Sequence, residues 1–192
     1  MLELLHKRVA TLIGDIRSKL GPEILLASAA RNPSDAGLLW MMDRLRERRS
    51  GGLLEIGTCY GVMAAVVALI CKRVTTIDNA SFMPGRPGAP GGRAAFARVP
   101  EVLAVAGARN VWAFLAKDER EKQQVVRRLR FDAAFIDGLH SADGVRADFE
   151  AVRRCGFVFF HNRTRGPISA FLAGLTGVEH CGDFALWRNP SG

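Results

Sequence analysis

Short apolar runs alternate with helical patterns through most of this chain, and that alternation limits its possible folds more than any other feature. The runs "LLEI", "VTTID", "NVWAFLA", "FDAAFID" and "FVFFHN" have the length of buried strands, and charged segments with helical spacing lie between them. Strands joined by helices form right-handed βαβ units in a parallel sheet. The sequence therefore predicts an α/β fold with a doubly wound, mostly parallel sheet and helices on both faces.

The last predicted strands have a different arrangement. The tail "VEHCGDFALWRN" contains two short strand patterns around Gly182 and Asp183, which is typical of a β-hairpin. We therefore expect the sheet to end in an antiparallel C-terminal edge hairpin.

The N-terminal part of the chain is helical in pattern. Residues 1–20 repeat apolar side chains at helical spacing, and a second helical pattern follows, with Asn32 or Ser34 as its N-cap. We expect residues 1–50 to form an N-terminal helical cap and residues 51–192 to form the core, within a single domain overall.

Charge and cysteine use narrow the class of protein. The net charge is +8, but the basic residues mostly alternate with acids at helical spacing, as on solvated helix faces. The four cysteines include no C-x-x-C pair, which argues against a zinc knot and a redox dithiol. No uncharged apolar stretch approaches the length of a membrane span. We expect a soluble, cytoplasmic protein with no membrane contact.

The segment "LLEIGTCYGVMAAV" places an acid and two glycines between a strand and a helix. Gly57 and Gly61 leave room at the carboxyl end of the strand, where open parallel sheets bind ligands. Asp78 ends the next strand, about where nucleotide-binding α/β proteins place an acid for ribose hydroxyls. Glu55 would repel a pyrophosphate, and the third glycine of G-x-G-x-x-G is missing. A nucleoside with a cationic group fits better than a dinucleotide.

These motifs together resemble a known superfamily. "EIGTCYG", followed by the acid that ends the second strand, resembles the class I S-adenosylmethionine-dependent methyltransferases. "FDAAFIDGLHSADGVRADFEAVRRCGFVFFHN" is similar to the branch whose fourth strand ends in D-G-x-H, whose next helix carries an Asp, and whose fifth strand ends in His-Asp. That branch includes methyltransferases of small-molecule and sugar hydroxyls and is related to catechol O-methyltransferase. The resemblance implies a Rossmann-like fold, S-adenosylmethionine as cofactor and a small-molecule substrate.

The resemblance also assigns cofactor-binding residues. Those expected around the cofactor are Glu55, Gly57, Thr58, Tyr60 and Gly61 in the first turn, Asp78 at the ribose, Asp118 at the adenine and Asp137 beside the transferable methyl. Two alternatives stay open at this point: Tyr60 could fill space beneath the turn, and Asp118 could be a solvated charge.

The expected catalytic residues are Asp137, His140 and His161. A hydroxyl acceptor must lose its proton, which requires a general base or a metal that acidifies it. His140 and His161 are the candidate bases, and Asp137 could orient one of them. In either case, the structural alternative is a strand-end histidine that only satisfies a backbone carbonyl.

The chain departs from the branch at two positions. Asn162 stands where the branch has an Asp, and Ala142 stands where it has an aromatic residue. A metal site made of Asp137, His161 and Asn162 would lack one carboxylate, which weakens magnesium binding, and its imidazole favours manganese, iron or nickel. The sequence leaves a divalent metal open without favouring it.

The leading interpretation is a methyltransferase that acts on a small-molecule or sugar hydroxyl. The first alternative, a nucleic-acid methyltransferase, is motivated by the charge, but "DGLH" is not the Asn-Pro-Pro-aromatic type of motif that base-directed enzymes often carry. A non-catalytic or degenerate domain that acts through partners is the second, and a nicotinamide oxidoreductase is the third. A homodimer stays open. We also expect Trp40, Trp112 and Trp187 in the core, and a mobile loop at residues 81–93 that orders over a ligand.

Overall fold

The computed structural model describes residues 2–25, 28–47, 51–81 and 92–190. Its strands are β1 (Gly52–Ile56), β2 (Arg73–Asp78), β3 (Val111–Leu115), β4 (Ala133–Ile136), β5 (Phe157–Phe160), β6 (Val178–Cys181) and β7 (Phe184–Arg188). They form one seven-stranded sheet in the order β3-β2-β1-β4-β5-β7-β6. The first five strands pair in parallel, and β7 is antiparallel to both β5 and β6. This confirms the predicted doubly wound sheet and its antiparallel hairpin.

The helices are α1 (Leu2–Leu20), α2 (Ala36–Glu47), α3 (Val62–Val67), α4 (Gly92–Ala97), α5 (Val99–Ala106), α6 (Glu119–Arg128), α7 (Ala142–Val152) and α8 (Gly166–Ala173). A short 3₁₀ helix covers Pro22–Leu25. None of the described helices combines the length and the apolar composition that a membrane crossing requires.

The cap of α2 corrects one prediction. Asp35, rather than Asn32 or Ser34, occupies the N-cap, because its Oδ1 accepts hydrogen bonds from the amides of Gly37 and Leu38 at 2.8 and 3.0 Å. Asn32 and Ser34 belong to the turn before it, since Asn32 Oδ1 accepts from the Ser34 amide at 3.1 Å.

Two apolar clusters cover the two faces of the sheet, because successive strand residues point to opposite sides. One cluster packs against α1, α2, α3 and α5 and includes Val9, Met41, Val66, Val102 and Phe135. The other packs against α6, α7 and α8 and includes Ile56, Val126, Phe149, Phe160 and Leu172. Helices thus lie on both faces, as predicted. The N-terminal helices share the first cluster with the sheet, and the division at residue 50 stays a prediction.

One of the three tryptophans is not in the core. Trp40 packs edge-on against Phe159 and Trp187 against Phe149. Trp112 is 56% exposed, so its predicted burial is wrong. The reason is the strand order: β3 lies at the sheet edge and pairs with β2 alone. Most of the predicted mobile loop, residues 82–91, lies outside the described residues, and Gly92 begins α4.

Candidate active site

The strand register aligns four of the predicted site residues in one row. Asp78, Gly57, Asp137 and His161 each end or follow a strand, and those strands, β2, β1, β4 and β5, are adjacent in that order. The Asp137 amide donates to the last carbonyl of β1 at 2.9 Å, and the His161 amide donates to the last carbonyl of β4 at 3.1 Å. Because neighbouring strands lie about 4.8 Å apart, side chains in this row can share one small ligand.

Asp137 joins the two predicted bases. Its Oδ1 lies 3.0 Å from His161 Nδ1 and 3.4 Å from His140 Nε2. Burial alone would raise the pKa of Asp137, but the hydrogen bonds and charges of His140 and His161 outweigh it and hold that pKa below its ordinary value. Asp137 therefore stays ionised near neutral pH and orients both imidazoles.

The His161 ring lies between two carboxylates. Its Nδ1 contacts Asp137, and its Nε2 lies 3.8 Å from Asp183 Oδ2. A carboxylate only accepts, so the Asp137 contact places a proton on Nδ1. The side-chain nitrogen of Asn162 lies 2.6 Å from the same Nδ1 and 3.2 Å from Nε2, so this amide contacts both ring nitrogens. With the proton on Nδ1, Nε2 is the accepting nitrogen of the ring, and a ligand hydroxyl would replace its contact with the Asn162 amide.

Sequence reasoning missed two site residues, Asp183 and Arg165. Asp183 occupies the turn of the C-terminal hairpin, and pairing of β7 with β5 returns it to His161. Arg165 Nη1 lies 2.8 Å from His140 Nδ1. The sequence signal for Asp183 was the hairpin pattern itself, and the signal for Arg165 was only its position shortly after a strand end.

Glu55 is buried beneath the first turn. Its Oε2 accepts from Thr76 Oγ1 at 2.5 Å, and that hydroxyl also contacts Thr58 Oγ1 at 2.6 Å. Burial raises the pKa of Glu55 to about 8; the hydrogen bond from Thr76 opposes the rise, and the charges of Asp137 and Asp78 add to it. Without a nearby cation, Glu55 is therefore largely protonated at neutral pH.

Asp78 holds the first turn in place. Its Oδ2 accepts from the Cys59 amide at 2.9 Å, and its Oδ1 accepts from the Ala80 amide at 2.7 Å. Asp78 thus ties the turn after β1 to the end of β2. Ribose binding by Asp78 stays a prediction, and any such role would be added to this structural one.

The two predicted glycines serve close packing of the strand ends. Gly57 has φ 101°, and a Cβ there would lie 2.2 Å from the Asp137 carbonyl oxygen. Gly61 has φ 77°, and its Cβ would lie 3.0 Å from a Val99 methyl. A side chain at either position would force the first turn away from its neighbours. The gap left by Gly57 is filled by the β4–α7 loop, so the contact of either glycine with a ligand stays a prediction.

Backbone strain also concentrates at this edge of the sheet. Among the described residues, the non-glycine residues with positive φ are Cys59, Ala80 and Asn162, at 48°, 52° and 57°. They follow β1, β2 and β5 respectively. Unfavourable backbone conformations of this kind cluster at ligand sites, where the surrounding structure holds them.

Tyr60 and Asp118 have structural roles of their own. Tyr60 is buried in the cluster that includes the N-terminal helices, so it fills space beneath the turn. Asp118 is exposed and caps α6, since its Oδ1 accepts from the Glu121 amide at 2.8 Å. A contact of either residue with the cofactor stays a prediction.

The candidate metal ligands Asp137, His161 and Asn162 do lie together, but they hydrogen-bond to one another. Within the described ranges, no group of three or more His, Cys, Asp or Glu side chains could hold a metal ion. One carboxylate, one imidazole and one amide also form a poor set for a hard cation. The arrangement does not favour a metal.

Several solved structures share this fold. The S-adenosylhomocysteine-bound methyltransferase PaMTH1 from Podospora anserina has a TM-score of 0.60 and 14% identity, with 94% of this chain and 87% of that chain covered. The O-methyltransferase TomG from Streptomyces achromogenes, solved with S-adenosylmethionine, has a TM-score of 0.59 and 19% identity, with 93% and 87% covered. An rRNA methylase from Streptococcus thermophilus has a TM-score of 0.56 and 14% identity, with 80% and 95% covered. These likenesses establish a common fold.

The sequence itself matches a family. No curated protein matches the chain significantly. A family described as a methyltransferase domain matches residues 54–162, which is more than half of the chain. The matched region contains the first turn, the D-G-x-H motif and the end of β5. The chain therefore belongs to the methyltransferase-domain family, and its resemblance to the class I S-adenosylmethionine-dependent methyltransferases is confirmed.

Proposed function

We propose that this methyltransferase transfers a methyl group from S-adenosylmethionine to a hydroxyl of a small molecule. The observation that carries the proposal is the Asp137–His161 pair, which lies in the same row of strand ends as the first turn and Asp78. An oriented imidazole is suited to remove a proton from a hydroxyl acceptor. The O-methyltransferase TomG is among the proteins with the same fold.

The buried Glu55 supports a cationic cofactor. Within the described residues, no Lys, Arg or His lies within ion-pair distance of its carboxyl group. An acid buried beneath a turn without a cation is stabilised when a positively charged ligand binds beside it. S-adenosylmethionine supplies a transferable methyl group on a positively charged sulfonium, together with a cationic amino group. We propose that Glu55 faces this cationic part and that Asp78 holds the ribose.

The partner of the accepting nitrogen distinguishes the two candidate bases. His140 Nε2 faces Asp137, and its Nδ1 accepts from the charged guanidinium of Arg165 at 2.8 Å. His161 donates from Nδ1 to Asp137, and its Nε2 faces the uncharged Asn162 amide at the longer distance of 3.2 Å, a contact that a ligand hydroxyl can replace. We therefore propose that His161 Nε2 takes the hydroxyl proton, with Asp137 holding the required tautomer.

Asp183 supports the same assignment. Its carboxylate lies 3.8 Å from His161 Nε2, where it can interact with the positive charge that the ring gains when the proton is transferred. The site must also align the hydroxyl oxygen with the methyl carbon and exclude water. These two effects account for much of the rate acceleration available to such a reaction.

Calorimetry tests this function. The full chain should bind S-adenosylmethionine and S-adenosylhomocysteine but not NAD, and Asp78→Asn should weaken both affinities by about tenfold or more, as expected for lost hydrogen bonds to a charged group. Binding of NAD instead would indicate an oxidoreductase. Binding without detectable S-adenosylhomocysteine formation across hydroxyl acceptors would indicate a non-catalytic domain.

A further inference from the structure

The feature that leads beyond methyl transfer is the guanidinium of Arg165. Its Nη1 donates to His140 Nδ1 at 2.8 Å, and His140 in turn contacts Asp137. In the described part of the chain, no carboxylate lies within 4.0 Å of this guanidinium. Arg98 and Arg188, by contrast, pair with glutamates. Arg165 thus carries a full positive charge beside the proposed acceptor site, and among the described side chains its hydrogen-bond partner is the His140 ring.

The backbone around Arg165 is fixed. Its amide donates to the Asn162 carbonyl at 2.9 Å, and its carbonyl accepts from the Ser169 amide at 2.8 Å, at the start of α8. The preceding Thr164 donates to Asp183 Oδ1 from both its hydroxyl and its amide, at 2.8 and 3.2 Å. The C-terminal hairpin therefore supports the turn after β5 that carries Arg165. An arginine on a free surface loop would have no such support.

The position of Arg165 relative to the base limits what it can bind. His140 and His161 contact the same oxygen of Asp137, so the Arg165–His140 pair and His161 Nε2 lie within reach of one small molecule. Asp137 and Asp183 would repel an anion at this site, and Arg165, which contacts His140, is a cation that can offset them. Its planar group binds carboxylate or phosphate oxygens in pairs.

We propose that the methyl acceptor is a small hydroxyl compound that also carries a carboxylate or phosphate group, which Arg165 binds while the hydroxyl faces His161. The anion would take the place that His140 Nδ1 now occupies at the guanidinium. This inference rests on the proposed function, because it names the class of acceptor for the same site. It makes Arg165 a specificity residue for the acceptor and gives it no role toward the cofactor.

Two matched probes test the proposal. Catechol and 3,4-dihydroxybenzoate carry the same hydroxyls and differ by one carboxylate, and each is titrated by calorimetry into the full chain saturated with S-adenosylhomocysteine. The wild-type complex should bind 3,4-dihydroxybenzoate at least about tenfold more tightly than catechol. Arg165→Gln should reduce this ratio to about one, and Arg165→Lys should give an intermediate ratio because it keeps the charge without the planar fork. Arg153→Gln, an equal loss of charge at an exposed ion pair with Glu150, should keep the wild-type ratio.

The outcomes separate this inference from the proposed function. Failure of S-adenosylhomocysteine to bind would count against the proposed function. If S-adenosylhomocysteine binds normally, three results would overturn the anionic acceptor alone. These are equal binding of the two probes, no binding of 3,4-dihydroxybenzoate, and a preference that persists in Arg165→Gln. Saturable binding of single-stranded RNA that depends on Arg165, with no binding of 3,4-dihydroxybenzoate, would assign the arginine to an RNA phosphate and would also overturn the proposal.

Discussion

At the scale of single residues, the proposed methyl transfer depends first on His161. Replacing His161 with Ala should reduce turnover by about a hundredfold or more and leave the affinity for S-adenosylmethionine nearly unchanged, because the base acts on the acceptor and not on the cofactor. Steady-state rates of S-adenosylhomocysteine formation and calorimetry measure the two effects. His180→Ala is the matched control, since His180 is an exposed histidine on β6. Equal losses in both histidine variants would contradict the assignment of the base.

The second prediction at this scale concerns Glu55 and pH. Because its pKa is about 8 in the free protein and its ionised form pairs best with a cationic ligand, binding of S-adenosylmethionine requires loss of a proton below that pH. Affinity should therefore rise by up to about tenfold per pH unit between pH 6 and pH 8 and then level off. Calorimetry at several pH values measures this. The slope should disappear in Glu55→Gln, which keeps the shape but cannot ionise.

The same group makes folding depend on pH in the opposite direction. The pKa of Glu55 rises from its ordinary 4.5 to about 8 on folding, so the folded state binds more protons between these values. The free energy of unfolding contributed by Glu55 is fully present below about pH 4.5 and is lost as the pH rises to about 8. Glu55→Gln should lose this decline in urea unfolding measurements. A wild-type decline that persists in the variant would show that Glu55 is not its source.

At the scale of secondary-structure elements, a buried ion pair joins α6 to α7 beneath the site. Lys122 Nζ lies 2.9 Å from Asp148 Oδ1, and their side chains are 3% and 0% exposed. Lys122 also contacts Glu119, and Gln123 donates to the same oxygen of Asp148 at 2.7 Å. Asp148 Oδ2 also packs closely against Gly138, since a Cβ on Gly138 would lie only 2.9 Å from it. The ion pair therefore lies directly against the loop that carries Asp137 and His140.

Removing one member of this pair should be costly. Asp148→Ala should lower the free energy of unfolding by about 3–5 kcal/mol, because Lys122 would stay buried without its main partner. Glu150→Ala, on the exposed side of the same helix, should cost less than about 1 kcal/mol. Denaturant unfolding of both variants measures the difference. Similar small losses in the two variants would show that the buried pair is not needed for stability.

The elements also show what the sequence could and could not predict. The strand-helix alternation and the tail pattern predicted the sheet and its hairpin, because periodicity within a segment reflects which side chains become buried. Asp183 lies beside His161 because β7 pairs with β5, and Arg165 lies beside His140 because β5 pairs with β4, in both cases between residues far apart in sequence. The exposure of Trp112 depends on β3 being the edge strand, which no local pattern encodes. Asp35 was missed as the α2 cap although it directly precedes the helix.

At the scale of the whole molecule, the site is made by the sheet and not by one motif. β2, β1, β4 and β5 each contribute one member of the row Asp78, Gly57, Asp137 and His161, and the C-terminal hairpin adds Asp183. This agrees with the general position of ligands in open parallel sheets, beyond the carboxyl ends of the strands. The family match reaches only to residue 162, so the hairpin and Arg165 lie beyond it.

The central claim is that this row of strand ends holds the cofactor with its sulfur beside Asp137 and His161. A crystal structure of the full chain with S-adenosylhomocysteine tests it most directly. We expect the ribose hydroxyls within hydrogen-bond distance of Asp78, the amino group near Glu55, and the sulfur on the side of the row that carries His161 Nε2. S-adenosylhomocysteine bound elsewhere, or a His161 ring turned away from its sulfur, would contradict the account.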